Sequence, residues 1–141
     1  MLKEGQYHIH SGCAISGIFH KDGRRTDGTE IIRSISVMHD RSNGLGGGFA
    51  AYGIYPEYAD CYAFHLFYDE PNVKDACEKF LNEHFEIASM SRIPTRKHPS
   101  ITDEPLIWRY FVVPRRYKLI ETQLSEDEFV VRCVTNINHK Y

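Results

Sequence analysis

Residues 72–84 constrain this chain more tightly than any other stretch. Val73, Ala76, Cys77, Phe80, Leu81 and His84 recur at the i, i+3, i+4, i+7, i+8 spacing of one helical face, with Asn72 ahead of them as the expected cap. A helix with a single apolar stripe has to bury that stripe against another element. Both flanks offer one. Before the helix, Cys61 to Tyr68 places Tyr62, Phe64, Leu66 and Tyr68 on one side by alternation. After it, Phe85 to Ile93 and Leu106 to Val113 read as two further strands joined by a polar, Pro-containing connection.

The remaining chain adds elements on both sides of this nucleus. Downstream, Tyr117 to Thr122 is a possible strand. Ser125 with Glu128 makes an S-x-x-E capping box ahead of Phe129, Val130, Cys133, Val134 and Ile137, which predicts a last helix. Upstream, the apolar and Gly-containing run Cys13 to His20 predicts a buried strand that ends at the turn Lys21-Asp22-Gly23. Asp27 followed by Glu30 then predicts a helix start, and Ile31, Ile32, Ile35 and Met38 carry it to about His39. Beyond the glycines that follow, Phe49 to Ile54 predicts a strand and Tyr55-Pro56-Glu57 a loop. Strands and helices do not alternate strictly, so the expected class is α+β rather than a doubly wound sheet. From about Tyr62 the order is βαββ, that of a ferredoxin-like unit, an architecture that implies no function by itself.

With 141 residues and 42% hydrophobic content, one ordinary core is expected, or a small domain carrying an inserted subdomain. The formal net charge of -2 gives no electrostatic reason to expect nucleic acid or an anionic membrane as a partner. Cys13, Cys61, Cys77 and Cys133 fall in no zinc-ligand spacing, so free thiols in a reducing cytoplasm are the expectation. No run resembles a secretory signal or the roughly 18 apolar residues of a membrane span. His8 and His10 form an H-x-H in a polar arm without fixed geometry, so no metal is expected there. Gly44-Leu45-Gly46-Gly47-Gly48 lacks the G-x-G-x-x-G spacing and leads into a strand, which argues against a nucleotide cradle. Arg109, Arg115 and Arg116 read as solvated basic surface, and the scattered Tyr and Phe as sheet packing.

One stretch carries chemistry. Cys13-Ala14-Ile15-Ser16-Gly17-Ile18-Phe19, followed about twenty residues later by Met38-His39-Asp40-Arg41-Ser42-Asn43-Gly44-Leu45-Gly46-Gly47-Gly48-Phe49-Ala50-Ala51-Tyr52-Gly53, is similar to the opening of class II, N-terminal-nucleophile glutamine amidotransferases of the glutamate synthase type. In that family a Cys starts the mature chain, a Cys-Gly-Ile-x-Gly strand follows, and an Arg-Gly-x-Asp-x-x-Gly segment comes after one helix. The resemblance covers residues 13–54 and implies the N-terminal part of a four-layer αββα sandwich. The implied division is a leader or propeptide over 1–12, the first part of the amidotransferase domain over 13–61, and an inserted ferredoxin-like α+β subdomain over 62–141.

The resemblance further implies that Cys13 is the catalytic nucleophile once residues 1–12 are removed, since a thiol and a free α-amino group on one residue supply both nucleophile and local base. Arg41, Gly46 and Gly47 would then lie in the loop that binds glutamine, and Gly12 and Gly17 would leave room beside the sulfur. The implied reaction is hydrolysis of glutamine to glutamate and ammonia. The FMN and iron-sulfur clusters of glutamate synthases belong to other domains of that family, so no cofactor is expected. The family's downstream His-x-Arg segment, its oxyanion-hole Asn-Gly and its later Asp are not located in these 141 residues, and the one Asn-Gly present, Asn43-Gly44, lies in the early loop and reads as a turn. A protein partner that supplies the rest is therefore expected. The alternative is a non-catalytic regulatory or assembly subunit derived from the same domain, in which residues 1–12 stay attached and block the amine.

Overall fold

A computed structural model describes residues 12–41 and 47–141, except for the side chain of Asp40. The chain divides into two compact units, Met1–Ala51 and Tyr52–Tyr141. Every buried hydrophobic side chain among the described residues belongs to the second, between Phe64 and Ile137.

In the first unit the predicted helix forms as α1 (Thr29–Ser36). The Asp27 carboxylate accepts the Thr29 N–H at 3.0 Å, and the Gly28 carbonyl accepts the Ile32 N–H at 3.0 Å. The helix stops earlier than expected, and a 3-10 turn over His39–Arg41 takes its place. The strands expected at Cys13 to His20 and Phe49 to Ile54 are absent. A strand exists only as one side of a ladder that satisfies its backbone N–H and C=O groups, and no described residue of this unit supplies the other side. The apolar side chains that suggested strands are consequently left in solvent, with Ile15 92% and Phe19 85% exposed. The turn after them is as expected. Gly23 donates to the His20 carbonyl at 3.1 Å with a φ of +68°, a conformation that favours glycine.

The second unit begins with a 3-10 turn over Pro56–Tyr58 where a loop was expected, followed by β1 (Tyr62–Tyr68). The amphipathic helix forms as α2 (Pro71–His84). Asn72 is not its cap. Glu70 occupies that position without a side-chain cap bond, and Pro71 opens the helix, where its fixed φ and missing N–H cost nothing. Then come β2 (Phe85–Arg92) and β3 (Leu106–Pro114). The sheet order is β1-β3-β2 with both pairings antiparallel, so β1 and β2 run parallel on either side of β3.

The possible strand at Tyr117 to Thr122 is instead a helix, α3 (Arg116–Thr122). Its backbone closes i to i−4, with the Leu119 N–H donating to the Arg115 carbonyl at 3.3 Å and the Gln123 N–H to the Leu119 carbonyl at 3.0 Å, and Leu119 packs on the core. The Lys118 ammonium also reaches Glu121 one turn on, at 3.1 Å. Gln123, at a φ of 56°, ends it. The last helix is α4 (Glu126–Lys140), with the predicted capping box in place: the Glu128 N–H donates to the Ser125 hydroxyl, and the Ser125 N–H donates to the Glu128 carboxylate. Replacing Ser125 with alanine removes one half of that exchange and is expected to cost about 1 kcal/mol, measurable as a lower urea midpoint.

The core joins one sheet face to α2 and α4. Phe64, Tyr68, Phe85, Tyr110 and Val112 from the strands meet Cys77 and Leu81 from α2 and Phe129, Val130, Cys133 and Ile137 from α4. A polar chain runs along its edge. The Tyr68 hydroxyl donates to that of Tyr110 at 3.2 Å, and Tyr110 donates to the Glu78 carboxylate at 2.9 Å. Lys74 completes the chain 2.8 Å from Glu78 while lying 4.2 Å above the Trp108 ring. Each hydroxyl thus has a partner, which is the condition for burying it.

Candidate functional site

Cys13 is exposed, and Gly12 places it beside the turn that follows α1. A Cβ on Gly12 would lie 3.4 Å from the Arg41 carbonyl oxygen, so the backbone entering Cys13 runs close against Arg41. Two local features hold this arrangement. The Ser16 and Ser34 hydroxyls share a hydrogen bond, tying the segment after Cys13 to α1. The Arg41 N–H donates to the Met38 carbonyl at 2.9 Å, folding the chain back after the helix. Two sequence-predicted residues, Cys13 and Arg41, are therefore neighbours through Gly12. Gly47 has open space where a Cβ would stand, and Gly46, with His8 and His10, lies outside the described residues.

Exposure distinguishes the four thiols. Cys77 and Cys133 are buried, and burial raises both above the usual thiol range, Cys133 to about 11. A thiol held in its neutral form is a poor nucleophile. Cys61 is half-buried and Cys13 exposed, so Cys13 is the most accessible sulfur. Among the described residues no group of three His, Cys, Asp or Glu side chains is placed to hold a metal, and no helix is long and apolar enough to cross a membrane.

The chain is similar to an uncharacterized protein of Archaeoglobus fulgidus, with 41% identity over 133 residues. That match covers 93% of this chain and 35% of the relative, so the chain spans about a third of the relative's length. No family model matches the chain, and no solved structure matches it.

A second cluster, missed in the sequence, lies on the sheet face away from α2 and α4. Arg109 is not part of a solvated basic patch with Arg115 and Arg116. It is half-buried, its Nη2 donates to the Ser91 hydroxyl at 3.1 Å, and its guanidinium lies 4.9 Å from the Tyr55 ring centre and 5.4 Å from that of Phe111. Its buried Nε has no hydrogen-bond partner. Arg115, by contrast, is occupied by the Asn82 carbonyl at 3.0 Å and by Glu86 at 3.9 Å. Beside Arg109, the His65 Nε2 lies 2.9 Å from the Tyr55 hydroxyl. Burial, and then the Arg109 charge, hold the His65 ring below the ordinary histidine pKa, so it is neutral at pH 7. The signal available in the sequence was position within the strands: His65 lies between Phe64 and Leu66, and Arg109 between Trp108 and Tyr110, so each falls on the face opposite those apolar neighbours.

Proposed function

We propose that this chain is the N-terminal part of a class II glutamine amidotransferase domain of the glutamate synthase type, in which Cys13 hydrolyses the side-chain amide of glutamine. The observation that carries the reading is that the backbone entering Cys13 runs against the Arg41 carbonyl, so that cleavage after Gly12 would leave the new N-terminus beside the residue where the proposed glutamine loop begins. Removal of residues 1–12 frees the Cys13 amine, a base with a reference pKa of about 7.7–8.0. The amine takes the thiol proton and the sulfur bonds to the amide carbon. The C–N bond then breaks, and ammonia leaves with that proton. Water cleaves the thioester to give glutamate and restore the thiol.

In this reading the first unit is one portion of an αββα sandwich, and residues 62–141 are an inserted ferredoxin-like subdomain, in keeping with the strand order β1-β3-β2. The exposed Ile15, Phe19 and Val37, the last 80% exposed, are then the surfaces that the rest of the sandwich covers. Further polypeptide would supply that cover, along with the oxyanion hole and the carboxylate-binding arginine; the archaeal relative does extend well beyond the matched region, which is 35% of its length. The same exposed side chains also suit a second reading, an assembly subunit that docks through this surface and has no catalytic role.

Intact-mass measurement and labelling with a diazo-ketone analogue of glutamine separate the two. Catalysis requires a mature chain that begins at Cys13 and takes the label there rather than at Cys61, with Cys13→Ala unlabelled. A mature chain that keeps residues 1–12, and whose Cys13 stays unlabelled beside its companion polypeptide, would establish the assembly subunit instead.

A further inference from the structure

We infer that the sheet face opposite α2 and α4 binds a small carboxylate with an apolar body, its carboxylate on the Arg109 guanidinium and its body on Phe67 and Ile107. Nothing in this site depends on Cys13. The register sets His65 opposite Arg109 and Phe67 opposite Ile107, while Ser91 faces Arg109 from the other neighbour. Residues two apart on a strand share a face, so a cation, a neutral imidazole and an apolar pair form one continuous patch.

The need for an anion comes from the guanidinium. It cannot shed its charge, and it carries five N–H groups. The Ser91 hydroxyl takes one of them, the Nε group is buried without an acceptor, and no carboxylate among the described residues forms an ion pair with it. The Tyr55 and Phe111 rings offset part of the desolvation, but a ring face does not accept hydrogen bonds as an oxygen does. A carboxylate is planar, accepts only, and matches the guanidinium fork. The charge count favours a monoanion over a phosphate dianion, because His65 is neutral and, among the described residues, Arg109 is the cation that the hydrogen bond to Ser91 and the contacts to the Tyr55 and Phe111 rings place in the cluster.

The surroundings define the other end of the ligand. On one side the face is closed: Tyr58 stacks on Phe111 at 3.8 Å with an interplanar angle of 8°, and Tyr55 meets the same ring edge-on at 4.8 Å. On the other side it is open, since Phe67 is 67% exposed. A carboxylate on Arg109 therefore extends its substituent over Phe67 and Ile107, which selects an aliphatic or aromatic acid over a second polar group.

The test is an NMR titration of the full chain with hexanoate, following the Arg109 Nε–H and the Phe67 ring, with hexanol as the uncharged control. Hexanoate is expected to saturate both signals, and hexanol to leave the Arg109 signal in place. Arg109→Gln removes the cation, and Ser91→Asp places a carboxylate of the protein's own beside Nη2. Each is expected to weaken hexanoate at least about tenfold, and Ser91→Asp does so without losing the guanidinium that the sheet packs around. The inference is overturned by a native chain that hexanoate does not saturate, by an equal response to hexanol, or by Ser91→Asp binding hexanoate as the native chain does.

Discussion

Replacing Phe85 with alanine is expected to lower the stability of residues 52–141 by about 3–5 kcal/mol, read as a reduced urea midpoint with an unchanged slope. Phe85 is fully buried. Its ring meets Phe64 of β1 edge-on at 5.4 Å and Phe129 of α4 at 5.7 Å, so one side chain at the start of β2 joins three elements. Those neighbours are themselves large and buried, which limits how far they can collapse into the space left behind. Against a total of about 5–15 kcal/mol for a domain of this size, the loss leaves the unit marginal. Phe67→Ala is the internal control. That ring is 67% exposed, and its removal is expected to change stability by no more than about 0.5 kcal/mol. Equal costs for the two substitutions would mean that the core has been placed on the wrong face of the sheet.

The second large effect is alkaline unfolding. Burial raises the thiols of Cys77 and Cys133 above their ordinary value of 9.0, and raises the phenols of Tyr68 and Tyr110 above 10.0. Tyr62 is pushed up to about 12, first by its hydrogen bond to Asp127 and then by burial. A raised pKa means that the folded chain holds its proton where the unfolded chain has released it. The stabilisation is complete below pH 9 and falls as pH rises through 9 to 12. Each group that must ionise removes up to about 1.4 kcal/mol per pH unit in that window, and Tyr62, lying near solvent, contributes least. Urea midpoints measured at stepped pH are expected to decline across this range, with phenolate absorbance growing together with the loss of near-UV circular dichroism. Full phenolate absorbance in a chain that keeps its near-UV spectrum would show that these hydroxyls are not buried.

The two units differ in how far their sequence revealed them. In Tyr52–Tyr141 the alternation of β1, the stripe of α2 and the Ser125–Glu128 box are local patterns that tertiary packing reinforces, and each element formed close to its expected bounds. The misread element, α3, is seven residues long with adjacent apolar positions at Leu119 and Ile120, too short for its period to separate helix from strand. In Met1–Ala51 the apolar runs are real, but a strand requires a pairing partner, and strand propensity at Ile15, Ile18 or Phe49 cannot say whether the same chain provides one. The candidate site was readable as a short motif around Cys13. Its proximity to Arg41 was implied by the family resemblance alone, because no local pattern shows how the chain folds back after α1. Arg109 was misassigned for a related reason: a basic residue reads as surface until the register shows which face it shares.

The position of β3 between its neighbours has a consequence for how the sheet comes into being. As the chain is made from its N-terminus, β1 and β2 emerge first, and neither is the other's neighbour in the order β1-β3-β2. Until Leu106–Pro114 leaves the ribosome, the two have no common edge, and the apolar stripe of α2 has no finished surface to rest on. Of these three strands the one made last is the keystone, and a polypeptide interrupted before it is an open template for whatever other strand it meets.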